Sequence, residues 1–257
     1  LSIHNKFKQA IRSGQKQIGL WSHLCSPISI EILADCGYDW LLLDMEHSPN
    51  DLSEIMAQLQ AMKGGSATPI VRPPWNDMVT FKRLLDIGVQ NLLVPYIQNA
   101  EEARNAVSYT RYPPQGVRGY AGAPRASNYG RVKDYAHLNA NELCLLLQVE
   151  TLQGLENLEA IANVDGVDGV FIGPGDLSAA LAGQDLLVLA GPVAAARELL
   201  QALRTVRQPV AWLAKGFERP MAAGAQGDAP GLMVHEIQAQ VAPGLRCGVL
   251  SGPSFAL

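Results

Sequence analysis

Short apolar runs recur along this chain at helix-length intervals, and that rhythm constrains the fold more than any other feature. The runs are Ile18-Gly19-Leu20-Trp21, Trp40-Leu41-Leu42-Leu43, Pro69-Ile70-Val71, Leu92-Leu93-Val94, Cys144 to Val149, Gly169 to Ile172 and Pro209 to Leu213. Runs this short, bounded by Gly, Asp and Pro, suit strands buried on both faces. Between them lie helix-like stretches: Ser29 to Cys36, Asp51 to Met62, Met78 to Ile87, Ala100 to Tyr109, Leu152 to Ala162 and Val193 to Val206. Asn50 and Asp51 supply a start signal, and Gly37, Gly64 and Gly88 supply stops. Strand and helix alternate through about seven units, which predicts an α/β fold with a parallel sheet. At 257 residues the natural closure is a (β/α)₈ TIM barrel, a single domain over 1–257. A doubly wound open sheet is the alternative, but no GxGxxG follows the first run.

Two regions break the rhythm. Tyr112 to Asn141 is rich in Gly, Pro, Arg and Tyr and reads as a long loop, a feature that is often functional. Residues 227–257 are poorly patterned, with Gly227, Gly231, Gly244, Gly248 and Gly252. An eighth strand is expected near Leu232 to Val234, so the eighth βα unit is atypical.

Composition removes several classes of function. With 48% apolar and 17% charged residues the chain is not of the disordered type. No apolar run approaches the roughly 20 residues that span a bilayer, so no membrane partner is expected. The polar, basic stretch from Leu1 to Lys16 has no apolar core of the kind a signal peptide carries. Net charge is −4 and the 20 basic residues are scattered, so no nucleic-acid partner is expected. Cys25, Cys36, Cys144 and Cys247 form no CxxC pair and read as buried, reduced thiols, which points to a cytoplasmic setting.

In a parallel barrel, reactive side chains sit at the C-terminal ends of strands. Read that way, the second run ends in Asp44-Met45-Glu46-His47, the third in Arg72, the fifth in Gln148-Val149-Glu150 and the sixth in Gly173-Pro174-Gly175-Asp176. Asp44, His47, Arg72, Glu150 and Asp176 should therefore share one mouth. Glu150 and Asp176 suit one hard divalent cation, or equally a helix cap, or a glycosidase-like acid/base pair that leaves Arg72 and His47 without a role. His47, beside an acid, suits a base near neutral pH. Arg72 suits a carboxylate or an enolate oxygen, or a plain surface ion pair. The backbone N–H groups of Gly175 and Asp176 suit an anion. Together these groups describe proton abstraction beside a carbonyl, of which aldol chemistry is one case.

At these residues the sequence resembles the HpcH/HpaI aldolase family. The likeness lies in Gly37 to Asn50, Val71-Arg72-Pro73, Thr110 to Pro114, Gly116 to Gly119 and Gly169 to Ser178, within a match from about Phe7 to Ala182. The resemblance implies a divalent-metal-dependent (class II) pyruvate aldolase on a (β/α)₈ barrel, reversibly cleaving a 4-hydroxy-2-oxo acid to pyruvate and an aldehyde. Members act in aromatic or sugar acid catabolism. It implies Glu150 and Asp176 as ligands of Mg²⁺, Mn²⁺ or Co²⁺, and His47 as the base. Arg72 matches the transition-state stabiliser, Asp44 lies beside the base, and Asp86 matches an acid that tunes it. Gln148, Gly175 and Asp176, with Arg72, match positions that contact the oxo acid. Gly175 stands where the family usually has Ala. The family's hexamer implies a homo-oligomer in which residues of one subunit border the next subunit's site. After Gln226 the sequence departs from the family's pattern. Lys215 offers a Schiff-base alternative. A CoA-thioester lyase on the same barrel lacks a visible basic pocket, and a barrel that only binds oxo acids is the non-enzyme reading.

Overall fold

The computed structural model describes residues 3–173, 176, 187–189, 193–205, 209–212 and 232–249, which fall into two compact units, 1–173 and 174–257. The first unit carries strands β1 (Gly19–Ser22), β2 (Trp40–Asp44), β3 (Thr68–Arg72), β4 (Asn91–Val94), β5 (Cys144–Val149) and β6 (Gly169–Ile172). All neighbours pair in parallel, in the order β1-β2-β3-β4-β5-β6. Spatial order equals chain order, with no reversal. A doubly wound sheet reverses at a switch point, so this sheet is the wall of a barrel-type fold, a half barrel of six strands.

The helices of this unit are α1 (Lys6–Arg12), α2 (Pro27–Leu33), α3 (Leu52–Ala61), α4 (Met78–Asp86), α5 (Ala100–Thr110), α6 (Tyr135–Glu142), α7 (Leu152–Glu156) and α8 (Leu158–Ala162). Their starts follow from the sequence. Asp51 and Glu54 close a capping box on α3, and Asp77, Asn99 and Thr151 accept from backbone N–H groups at the starts of α4, α5 and α7. Leu41, Leu43, Val71, Leu92, Val94, Leu147 and Val149 face these helices in one buried cluster with Ile30, Ile55, Phe81, Leu84 and Leu85. The opposite faces of the strands, through Leu42, Ile70, Leu93 and Cys144, pack with Phe7 of α1. Successive strand residues thus point alternately to the helix layer and to the inner side.

The second unit holds a three-stranded parallel sheet of β7 (Leu187–Leu189), β8 (Val210–Trp212) and β9 (Cys247–Val249), with helices α9 (Val193–Ala202) and α10 (Val234–Val241). Leu200, Val210, Trp212 and Ile237 form its core.

Several expectations change. Leu232 forms only an isolated bridge and Val234 opens α10, so the strand expected near Leu232 to Val234 falls instead at Cys247–Val249. A strand at Leu187–Leu189 precedes the run at Pro209, which places that run later in the order of strands than its apolar pattern suggests. The Tyr112 to Asn141 segment contains a 3₁₀ turn, Arg125–Ser127, and most of α6, which has no side-chain cap to announce it. The stretch from Leu152 to Ala162 is two short helices, broken at Asn157. Only Cys144 among the cysteines is buried; Cys36 is exposed and Cys25 and Cys247 are half-buried. Among the described residues no helix is long and apolar enough to cross a membrane.

Candidate active site

The C-terminal ends of β1, β2, β3 and β5 bring one polar cluster together. Asp44 closes β2 and Arg72 closes β3, and the two are register partners. Asp44 is fully buried, and both of its oxygens are saturated. Oδ1 accepts from Arg72 Nε at 2.8 Å and from the Glu46 N–H at 3.0 Å. Oδ2 accepts from Arg72 Nη2 at 2.5 Å and from Trp21 Nε1 at 3.2 Å, and it stands 2.9 Å from His23 Nε2. Burial works against ionisation of Asp44, but the bonds from Arg72, Trp21 and the Glu46 amide outweigh it and bring the carboxyl down to about 2. The loop after β2 is tied to the same residue: the Ser48 hydroxyl and the Asn50 amide both donate to the Asp44 carbonyl.

Arg72 is buried, lies 4.6 Å over the Trp21 ring and places Nη1 2.7 Å from Glu46 Oε2, an ion pair whose alignment falls short of a hydrogen bond. Its guanidinium is therefore pinned on three sides. Of its five N–H groups, those on Nε and Nη2 that face Asp44 and the one on Nη1 turned to Glu46 are engaged, and two remain.

Glu150 follows β5, two positions after Gln148, so the two side chains share a face. Glu150 is buried; Oε1 accepts the Tyr96 N–H at 2.8 Å and Oε2 accepts Gln148 Nε2 at 2.6 Å. Tyr96 adopts φ +59° to present that N–H, an uncommon conformation for a bulky residue, and its ring packs on Trp75 at 5.4 Å. Gly173 lies across from Glu150: a Cβ there would stand 2.9 Å from Glu150 Cβ and 3.0 Å from Oε2. The absence of a side chain is what lets the carboxylate lie flat against the next strand.

This cluster has the chemistry of a cation site. Burial, and the nearby Glu150 carboxylate, raise the Glu46 carboxyl above its usual range, against the opposing pull of Arg72. Asp44, Glu46 and Glu150 together oppose one guanidinium, so the buried charge is negative before any ligand arrives. Gln148 Oε1 is buried with no hydrogen-bond partner, a free oxygen beside Glu150. Hard oxygen donors of this kind fit Mg²⁺, Mn²⁺ or a similar divalent ion. Among the described residues no three His, Cys, Asp or Glu side chains converge closely enough to hold an ion by themselves. Within the first unit the Gln148 amide oxygen is the further donor beside Glu150.

The other expected residues fall as follows. His47 is exposed at the same mouth; the carboxylate within 4 Å of its ring is Glu46, at 3.9 Å, and the imidazole on Asp44 belongs to His23. Asp86 ends α4, which returns from the β3 mouth to the start of β4, so within one chain it lies at the opposite edge of the sheet. There it pairs with Arg118 at 2.9 Å. Asp176 is exposed and helical in the second unit, and Gly175 and Lys215 lie outside the described residues. The sequence reading assigned no role to His23, Trp21 or Glu46. His23 directly follows the first apolar run and Glu46 lies inside the quoted Asp44 to His47 stretch, so the strand-end rule contained a signal for both.

Comparison with known proteins points the same way. The chain is 56% identical over 178 residues to a 4-hydroxy-2-oxo-heptane-1,7-dioate aldolase of Klebsiella pneumoniae, covering 69% of this chain and 67% of that protein. It is 53% identical over 178 residues to the protein of the same name from Salmonella typhimurium, covering 69% and 68%. A crystal structure of an HpcH/HpaI aldolase/citrate lyase family protein from Burkholderia cenocepacia superposes with TM-score 0.68 at 36% identity, over 81% of this chain and 84% of that one. The HpcH/HpaI aldolase of Desulfitobacterium hafniense gives 0.62 at 27% identity, over 80% of each. The family model for HpcH/HpaI aldolase/citrate lyase matches residues 17–208, which span β1 to α9 and every strand end of the polar cluster. A parallel wall whose mouth carries this arginine–carboxylate cluster, within so long a match, makes the chain a member of the HpcH/HpaI aldolase/citrate lyase family.

Proposed function

We propose that this chain is a class II aldolase that reversibly cleaves a 4-hydroxy-2-oxo acid to pyruvate and an aldehyde. The observation that carries the reading is the cluster of buried Asp44 and Arg72 with half-buried Glu46, beside Glu150, at one strand-end mouth. The relatives' shared name, 4-hydroxy-2-oxo-heptane-1,7-dioate aldolase, supports that substrate class. A divalent cation, when bound, supplies the Lewis acid that polarises the 2-oxo group. Glu150, with Asp176, would hold it. The two N–H groups left on Arg72 are held ready for the oxygen that gains charge when the enolate forms, and pinning by Asp44 removes the cost of orienting them. His47 moves the proton at the pyruvate methyl carbon. Gln148, Gly175 and Asp176 contact the oxo acid.

The finer structural reading is a single (β/α)₈ barrel over 1–257, supported by six strands whose spatial order equals chain order. Asp86 faces away from the mouth of its own chain, so it reaches a reacting centre only as part of a homo-oligomer, with the hexamer implied by the family likeness as the natural form. The cysteines, unpaired in the structure, support a cytoplasmic setting.

The test is deuterium exchange of the pyruvate methyl group. Exchange should vanish with EDTA, return with Mg²⁺, Mn²⁺ or Co²⁺, and be lost in His47→Ala. Exchange that survives chelation, or a borohydride-trapped pyruvate adduct at Lys215, would overturn the metal-dependent reading.

A further inference from the structure

The mouth of the first unit carries a second imidazole, and it is better anchored than the first. His23 directly follows β1, and its Nε2 stands 2.9 Å from Oδ2 of the fully buried Asp44. Asp44 accepts two bonds from Arg72 and is ionised, so it accepts hydrogen bonds and donates none. The ring nitrogen facing it must therefore carry a hydrogen. In the neutral ring the lone pair is then on Nδ1, on the other side of an imidazole whose side chain is 54% exposed, and Nδ1 has no protein partner among the described residues. The contact is at ion-pair distance and its alignment, like that of Arg72 Nη1 on Glu46, falls short of a hydrogen bond; it sets one ring nitrogen against a buried carboxylate and leaves the other open, the placement a general base needs. His47 has no such anchor: the carboxylate oxygen near it is 3.9 Å away.

The chemistry of a retro-aldol gives two imidazoles separate work. Two protons move. The C4 hydroxyl loses one as the C3–C4 bond breaks, and C3 of the enolate gains one as pyruvate forms.

We propose that His23 is a further catalytic residue, the base that takes the proton of the C4 hydroxyl. This rests on the aldolase reading above. In the cleavage direction the O–H pair becomes the C=O bond of the aldehyde, the C3–C4 pair moves into the C2–C3 bond of the enolate, and the proton resides on His23 Nδ1. In the synthetic direction the imidazolium returns that proton to the new alkoxide. Asp44 supports both states, since Nε2 keeps its hydrogen throughout.

Pyruvate has no C4 hydroxyl, so methyl exchange and carbon–carbon cleavage separate the two imidazoles. The experiment compares wild type, His23→Gln, His23→Ala and His47→Ala, each assayed with Mn²⁺ for deuterium exchange into pyruvate and for cleavage of 4-hydroxy-2-oxo-heptane-1,7-dioate. General-base catalysis is worth about 100- to 10,000-fold. Cleavage by both His23 variants should fall by at least about 100-fold while exchange stays within about threefold of wild type, and added imidazole should partly restore cleavage in His23→Ala. His47→Ala should lose both. Retained exchange also reports an intact fold and an intact Asp44–Arg72 pair. Gln keeps an N–H toward Asp44 but offers no base, so recovery of cleavage in His23→Gln would show a merely structural contact and overturn the proposal. A parallel fall of both activities, or a fall in neither, would overturn it too. A wild-type chain that neither exchanges nor cleaves would remove the aldolase reading and this proposal with it, whereas exchange with ordinary cleavage in the His23 variants would remove this proposal alone.

Discussion

Replacing Asp44 by Asn should destabilise the chain far more than its single-atom change suggests. The Asp44 carboxylate takes hydrogen bonds from Arg72 Nε and Nη2, Trp21 Nε1 and the Glu46 N–H, and it faces His23 Nε2. Every one of these neighbours is a donor. An Asn amide has one acceptor oxygen, so its NH₂ group must face donors in either orientation. Turned one way it opposes Arg72 Nη2, Trp21 Nε1 and the His23 ring; turned the other way it opposes Arg72 Nε and the Glu46 amide. The second orientation costs less, but it still halves the bidentate bond and leaves the buried guanidinium with Glu46 as its remaining counter-charge. Breaking one side of a buried pair costs about 3–5 kcal/mol. That is a large share of the about 5–15 kcal/mol that a folded domain has in total. At about 2–4 °C per kcal/mol for a chain of this size, Tm should fall by about 6–20 °C. Urea unfolding, followed by tryptophan fluorescence at fixed Mg²⁺, measures the loss. Arg72→Met alone and the double variant complete a cycle. If the pair is the cause, the double variant should be less destabilised than the sum of the singles, by about 0.5–3 kcal/mol. It will not return to wild type, because Glu46 still loses its partner. A loss below about 1 kcal/mol in Asp44→Asn, or a strictly additive cycle, would refute the reasoning.

Two further outcomes follow from the same cluster. Gly173→Ala places a methyl 2.9 Å from Glu150 Cβ, so it should displace the carboxylate, lower Mn²⁺ affinity by about 10–100-fold by calorimetric titration and cost about 1–3 kcal/mol; unchanged Mn²⁺ binding would separate Glu150 from the metal. Asp44 is held at about 2 in the folded chain against 3.8 ordinarily, so its contribution is fully present above about pH 4 and is lost as pH falls towards 2. The stability gap between wild type and Asp44→Asn should narrow across that window, and a gap that stays constant down to pH 2 would contradict the assignment.

Much of the first unit was legible because its determinants are local. The run from Cys144 to Val149 and that from Gly169 to Ile172 coincide with β5 and β6, since apolar runs closed by Gly and Asp leave little choice of boundary. Asp51 and Asp77 announce α3 and α4 by capping. What stayed hidden depends on partners distant in sequence. The α1 helix is polar, and its place is decided by Asn5 and Lys8 meeting residues beyond position 90. His23 follows a strand that is largely half-buried, and its role becomes visible only once β1 pairs with β2 and sets the ring beside Asp44. Glu46 adjoins the more reactive-looking His47 in sequence, yet Glu46 is the one that Arg72 holds. Beyond Gln226, strands as short as Cys247–Val249 with a central Gly carry too few apolar side chains to register as a periodic signal.

The anchoring of α1 also has a kinetic meaning. Asn5 Nδ2 donates to Asn91 Oδ1 and to the Glu142 carbonyl, Lys8 Nζ donates to the Leu143 carbonyl and lies 3.1 Å from Asp168, and Arg12 reaches the same Asp168 at 3.0 Å. The α1 helix is thus completed by residues made more than 130 positions later. At about 5–20 residues per second, Lys8 waits roughly 8–30 s for its acidic partner. During that interval Phe7 and the inner faces of β2 and β3 have no lasting cover. Nascent chains halted before Asp168 should therefore be protease-sensitive and chaperone-bound, and those halted well beyond it should not.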